Sequence, residues 1–401
     1  MKILKVIHGF PPDYMAGSEV YSYNLVKELS KTEEVFVFTR VENEFDSNYK
    51  IYNEVDGNIK IRRINNPERD YNLRDKYFNY SVEEEFEKYL NEVKPDVTHI
   101  RHLSHLSTNI KKKKKKYSLP IIFTIHDFWM FCIKGQLINQ FGERCDGPTP
   151  EKCQNCSKYL TNLDEIKSYF KHMKETINLI DIFVSTSKYL IDFFVRNGVE
   201  REKIIFSKYG FDKNLINVKK KNIDENTVIK FGFMGRIIPT KGIKVLISAS
   251  KDLPENELYI FGRIGKKKRF LEISDNIVFK GSYNNSTLNE VLSSFDVLIV
   301  PSIWVENAPL VIQEAFIANV PVITSNIGGM KELVKDGING YTFEVGDSED
   351  LKRVIKTIVS KPTILNQLKI DEKEVVDIKD EAQSIIRVYH NLLKDRSDKL
   401  C

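Results

Sequence analysis

No apolar run of about 18 residues occurs anywhere in this 401-residue chain, so no transmembrane helix is predicted. The opening MKILKVIHGFPP has no small-residue cleavage site behind its short apolar run, and it reads as a first buried strand rather than a secretion signal. Cysteine is scarce and odd in number, at Cys132, Cys145, Cys153, Cys156 and Cys401. An odd count without a secretion signal argues against a disulfide framework. Neither a Gly-x-Gly-x-x-Gly fingerprint nor a Walker-type phosphate loop is present. A large excess of either charge is missing too: the net charge is +5. That balance suits an anionic small ligand or an anionic membrane face and gives no reason to invoke nucleic acid. The expectation is a cytoplasmic protein, at most peripheral at the inner face of a membrane.

With 41% hydrophobic and 29% charged residues, the chain has the composition of a globular protein, long enough for two or three domains. Short apolar runs alternate with helical patterns. Strands are predicted at 3–7, 34–38, 96–100, 120–125, 181–185 and 203–206, with helices from Ser18 and from a capping box at Ser81 and Glu84. Residues 41–78 read as polar and irregular except for the alternating NIKIRRI. A second cycle of strands follows at 228–234, 258–261, 277–279, 296–300 and 321–324, beyond a polar, turn-prone KKKNIDEN. Strand–helix alternation predicts two Rossmann-like, doubly wound parallel sheets. The expected divisions are 1–210, with a cysteine-bearing insertion over 131–160, then 211–379, then a C-terminal helix in 380–401.

The most informative stretch is DVLIVPSIWVENAPLVIQEAFIA, Asp296 to Ala318. A buried strand ends at Pro301-Ser302, and Asn307-Ala308-Pro309 opens a helix, with Asn as the expected N-cap. A helix start with unpaired N–H groups is an anion site. Glu306 and Glu314 bracket it, roughly 12 Å apart along a helix, too far for one acid/base pair acting on a single bond. The reading is phosphates on the helix start, with each carboxylate gripping a different hydroxyl-bearing part of one ligand. Gly235-Arg236 and Lys241-Gly242 lie on the loop after the first strand of the second half. A guanidinium fork and an ammonium there suit a diphosphate, although a pair of solvated loop charges would look the same.

Glu-x7-Glu after a Pro-Ser-terminated strand, followed by Pro321-Val322-Ile323, Gly328-Gly329, Glu332 and Asp336-Gly337-x-Asn339-Gly340, resembles the retaining family 4 glycosyltransferases of the GT-B fold. The resemblance implies two Rossmann-like domains facing across a cleft, with a C-terminal helix crossing back to the first. It implies transfer of a sugar from a UDP- or GDP-type nucleotide sugar to an acceptor hydroxyl on a glycan, glycolipid or lipid-linked saccharide. Arg236, Lys241, Glu314, Gly262 and the backbone of Asn307, Ala308, Pro309 and Leu310 would bind the donor. Glu306 and His126 would act at the donor sugar, and Tyr14, Gly17 and Ser18 would form the acceptor or phosphate loop, with Ala16 departing from the family's Gly-Gly. No cofactor is expected for catalysis, because the cationic loop and helix start take the place of a metal ion on the diphosphate. Cys132, Cys145, Cys153 and Cys156, with one C-x-x-C knuckle, could hold a structural zinc or be idle thiols. Lys111 to Lys116 and Lys266 to Arg269 read as solvated runs, with anionic lipid as the sharper alternative for the first and the edge of the nucleotide cleft for the second. Two other classes stay open at this point: an epimerase or phosphorylase on the same architecture, and a non-catalytic binder of anionic surfaces.

Overall fold

The computed structural model describes the chain except residues 67–71, 110–118, 158–160, 220, 252, 254–255, 264–273 and 401, and the side chains of 397–400. Both lysine runs fall outside the described residues. The chain forms two compact units, Met1–Phe211 with Asp377–Cys401, and Asp212–Val376.

In the first unit the strands are β1 (Lys2–Ile7), β2 (Glu34–Val41), β3 (Ile51–Asp56), β4 (Ile59–Asn65), β5 (Val97–Ile100), β6 (Ile121–Ile125), β7 (Ile182–Ser185), β8 (Ile204–Phe206) and the short β9 (Gly210–Phe211). The helices are α1 (Gly17–Leu29), α2 (Tyr80–Val93), α3 (Pro150–Cys156), α4 (Leu163–Ile177) and α5 (Lys188–Arg196). The sheet order is β3-β4-β2-β1-β5-β6-β7-β8. β1 pairs in parallel with β2 (Ile3↔Val35) and with β5 (Ile3↔Val97), so the winding direction reverses there. Strands covered on both faces are mostly apolar, and β1, β5 and β6 are buried along nearly all their length, with Lys5, Thr98, His99 and Thr124 as buried polar exceptions.

Two features differ from the sequence reading. Residues 41–78 are not irregular: β3 and β4 pair antiparallel, Ile51↔Ile64, which makes the sheet mixed at that edge. β3 carries mostly exposed polar residues, so it has no apolar run to announce it. The cap of α2 is Asn79, whose side chain accepts from Val82 N at 3.2 Å, and not Ser81, which already lies inside the helix. An extended residue with a short acceptor reaching the third N–H is what caps a helix, and Asn79 supplies both.

The second unit has β10 (Lys230–Met234), β11 (Glu257–Phe261), β12 (Ile277–Gly281), β13 (Val297–Val300), β14 (Val322–Ser325) and β15 (Gly340–Phe343). Its helices are α6 (Ile243–Ser250), α7 (Leu288–Ser293), α8 (Leu310–Ile317), α9 (Gly328–Leu333) and α10 (Ser348–Ser360). The order β12-β11-β10-β13-β14-β15 is wholly parallel and reverses between β10 and β13. Phe231, Leu246, Leu258, Ile299, Ile323, Leu351 and Ile355 form its core, each side chain contributing about 2 kcal/mol by leaving water. The last helix, α11 (Ile378–Leu400), belongs to the first unit and buries Ala382, Ile385 and Tyr389 on one stripe. No helix among the described residues is long and apolar enough to cross a membrane.

Candidate functional site

Ligands of open parallel sheets gather beyond the C-terminal strand ends where the winding reverses. In the second unit that point lies between β10 and β13, and the loops after both strands meet there. Ile303 N donates to Thr240 O at 3.0 Å, and Lys241 Nζ lies 2.6 Å from Glu306 Oε1. Ser302 Oγ donates to the same carboxylate oxygen. Lys241 also sits 5.8 Å over the Trp304 ring. The loop bearing Arg236 and the segment leading into α8 are thus one surface, with Arg236 exposed and making no ion pair among the described residues. Glu306 is buried, and its negative charge is tolerable there only because Lys241 and Ser302 face it.

The helix start differs in detail from expectation. α8 begins at Leu310 with Pro309 as its cap residue, no side chain caps it, and Asn307 lies two residues too early. Its first helical bond runs from Ile312 N to Pro309 O at 3.2 Å. The N–H groups of Leu310 and Val311 therefore have no acceptor within the helix. Asn307 and Ala308 are buried, and the Asn307 backbone lies against α9. Gly329 N donates to Glu306 O at 3.0 Å, and a Cβ on Gly329 would lie 1.3 Å from Asn307 O. Gly262, next after β11, makes a similar approach: a Cβ there would lie 2.0 Å from Gly235 O. The backbone of these loops packs so closely that only hydrogen fits.

Glu314 is half-buried on α8 between Ile312, Ala315 and Phe316. Burial pushes its carboxyl up to about 7, and its charge in turn helps raise the Tyr283 hydroxyl, which burial raises most. A carboxylate held so near neutrality gains from a hydroxyl ligand that would hydrogen-bond its charged form.

In the first unit the reversal lies between β1 and β5, and three histidines crowd the strand ends there. His126 follows β6 and its Nδ1 is 2.6 Å from Tyr209 Oη. Burial, then the charges of Arg101, His102, His8 and Lys5, hold His126 well below the usual imidazole range, so it is neutral at pH 7. His8 after β1 pairs with Glu19 of α1 at 3.2 Å, and His102 after β5 pairs with Asp127 at 3.4 Å. The His8 and His102 rings are 4.5 Å apart. Burial would lift the Asp127 carboxyl, but His102 and the Trp129 N–H hold it below its ordinary range. Asp13 is engaged by Arg63 at 3.2 Å, and Tyr14 packs under the Arg40 guanidinium. Gly17 is the first residue of α1, without a left-handed backbone, and Ser18 Oγ donates to Glu19 at 2.8 Å.

The structure therefore brings Arg236, Lys241, Glu306 and the Pro309 helix start onto one surface of the second unit. It places His126, Gly17, Ser18 and Tyr14 around one end of the first. Sequence reading missed Glu19, His102, Tyr209 and Ser302, which become partners only through the fold; position after a predicted strand was the only available hint for His102. Cys132, Cys145, Cys153 and Cys156 are free thiols in this structure. Cys153 feels Cys132, Cys156 and Cys145, and burial foremost pushes its thiol up to about 12. Cys156 Sγ is 3.2 Å from Gln140 Oε1, and no three His, Cys, Asp or Glu groups among the described residues are arranged to hold a metal ion.

Comparison with known proteins matches this geometry to a family. The model for glycosyl transferases group 1 matches residues 215–375, and that for Glycosyltransferase Family 4 matches 15–212. An uncharacterized glycosyltransferase of Methanocaldococcus jannaschii is 24% identical over 97% of this chain and 98% of its own. The Escherichia coli UDP-Gal:alpha-D-GlcNAc-diphosphoundecaprenol alpha-1,3-galactosyltransferase is 28% identical over 38% of this chain and 41% of its own. Sucrose-phosphate synthase from Thermosynechococcus elongatus superposes with a TM-score of 0.75 at 18% identity, covering 98% of this chain and 99% of that one. Anabaena HepE, solved in complex with UDP-glucose, gives 0.66 at 17%, covering 98% and 100%. The two model matches follow one another along the chain and divide where its two parallel-sheet units divide, each carrying its residues at a winding reversal: the chain belongs to the family 4 glycosyltransferases, with the two Rossmann-like domains of the GT-B fold.

Proposed function

We propose that this glycosyltransferase moves a sugar from a nucleoside-diphosphate sugar to an acceptor hydroxyl on a glycan, glycolipid or lipid-linked saccharide, with retention of anomeric configuration. The observation that carries the reading is the joined surface of the second unit: Arg236, the Lys241–Glu306 pair at 2.6 Å and the uncapped start of α8. Arg236 and Lys241 neutralise the charge that grows on the departing diphosphate, and the Leu310 and Val311 N–H groups meet its oxygens. Lys241 has three donors and Glu306 occupies one, so a diphosphate takes the others without stripping the carboxylate of its partner. Glu314 accepts from the ribose hydroxyls. The UDP-glucose held by HepE and the diphosphoundecaprenol-linked substrate in the E. coli relative's name support the donor and acceptor classes. We assign no side chain of the site as a covalent nucleophile. Retention then proceeds by front-face displacement with the leaving phosphate as base, and capture of a glycosyl-enzyme adduct by mass spectrometry would refute that route.

A thermal-shift panel of UDP, GDP and their sugars tests the site. At least one nucleotide is expected to raise the melting temperature of the parent protein, and Arg236→Ala is expected to lose that rise. An unchanged rise in the variant would remove the diphosphate assignment.

A further inference from the structure

The first unit holds an imidazole whose two nitrogens have unlike surroundings. His126 Nδ1 is 2.6 Å from the Tyr209 hydroxyl, and the two rings are nearly parallel with centroids 5.9 Å apart. His126 Nε2 is shielded from solvent and has no hydrogen-bond partner among the described residues. A buried N–H or lone pair without a partner costs about 1–3 kcal/mol, so such a nitrogen at a strand's C-terminal end marks a place where a ligand group completes the bond. The neutral ring carries one proton, and its hydrogen bond with Tyr209 decides which nitrogen holds it.

We propose that Tyr209 is a positioning residue that fixes His126 as the tautomer protonated on Nε2, keeping that N–H as a donor for a ligand hydroxyl at this end of the first unit. A phenol is a better donor than an imidazole N–H, and an sp² imidazole nitrogen is a better acceptor than a phenol oxygen. The short contact is therefore Tyr209 O–H donating to Nδ1. Burial foremost, and then Arg101, His102, His8 and Lys5, disfavour a second proton on the ring.

Tyr209 is itself held from two sides. Its ring lies 4.1 Å from that of Tyr21, whose hydroxyl donates to Glu381 of α11. Glu381 also accepts from the backbone N–H of Gly210, next in the chain, at 2.7 Å. A Cβ on Gly210 would lie 2.7 Å from the Ile378 backbone, so the helix clamps this segment. With ring and backbone both fixed, the hydroxyl cannot follow the imidazole if the latter turns over.

The inference rests on the reading of His126 as a site residue, and the test separates the two. Full-length protein labelled with 15N-histidine is examined by long-range 1H–15N correlation at pH 7.5, with His126→Gln identifying the signal. A pyridine-type Nδ1 and pyrrole-type Nε2 are expected in the parent protein, and an averaged or reversed pattern in Tyr209→Phe. Nδ1 protonated in the parent protein, or an unaltered pattern in Tyr209→Phe, overturns the proposal. The parent spectrum decides the tautomer even if the variant fails to fold. Turnover is then measured with the nucleotide sugar that gives the largest thermal shift. Tyr209→Phe is expected to lower kcat about tenfold with KM within about twofold. Full activity in His126→Gln would remove His126 from the site while leaving the tautomer assignment intact.

Discussion

Replacing Glu314 by glutamine tests whether burial has set this carboxyl's charge aside for a ligand. The carboxyl is carried from an ordinary 4.5 to about 7 by burial alone. Between those values the folded chain holds a proton that the unfolded chain has released, so Glu314 lowers stability as pH rises through that window. Below it both forms are protonated and the cost disappears; above it the folded chain keeps a poorly solvated charge. At about 1.4 kcal/mol per pH unit the full cost is roughly 3 kcal/mol, and water reaching this incompletely buried residue reduces it to about 1–2 kcal/mol. Glu314→Gln keeps the shape and removes the charge, so it is expected to stabilise the second unit by that amount at pH 8. At pH 5 no more than about a quarter of the gain should remain. Urea unfolding followed by Trp304 fluorescence in a Trp129→Phe background reports on this unit, since these are the two tryptophans of the chain. A gain of equal size at both pH values, or none at pH 8, would refute the reasoning. The same variant should show a smaller nucleotide-induced thermal shift than the parent, because a site kept charged for a ligand is stabilised by losing that charge.

Further expectations follow from packing and capping. Gly329→Ala puts a methyl 1.3 Å from Asn307 O, and is expected to cost ~3 kcal/mol and abolish the nucleotide response; thermal melts with and without UDP check it. Asn79→Ala should destabilise the first unit by about 1 kcal/mol while Ser81→Ala changes little, as measured by urea unfolding.

How much of this was legible beforehand depends on the range of the interaction. β13 is apolar along its whole length because both faces are covered, so its run of residues announces it, and β1 and β14 are buried along nearly all their length with Lys5, Thr324 and Ser325 as polar exceptions. β3 is an edge strand with exposed polar residues, and its pairing with β4 is visible only once β4 is in place. The start of α8 was legible to within a few residues, but which one caps it depends on how Asn307 is caught against Gly329. That Gly235-Arg236 and Lys241 lie on a loop between a buried strand and a helix was readable from the local pattern, while their proposed diphosphate role came from the family resemblance. That Lys241 faces Glu306, 65 positions onward, was not readable.

By itself, then, the sequence determined the alternation of buried strand and helix, the two cycles of it, and the loops on which charged residues must sit, since each is written in the spacing of neighbours along the chain. The tertiary structure alone decided the partners. Glu381 reaches Tyr21 across 360 positions and Tyr209 reaches His126 across 83. Tautomer, charge state and the shift at Glu314 follow from which groups are packed together out of water, and no local pattern carries that information.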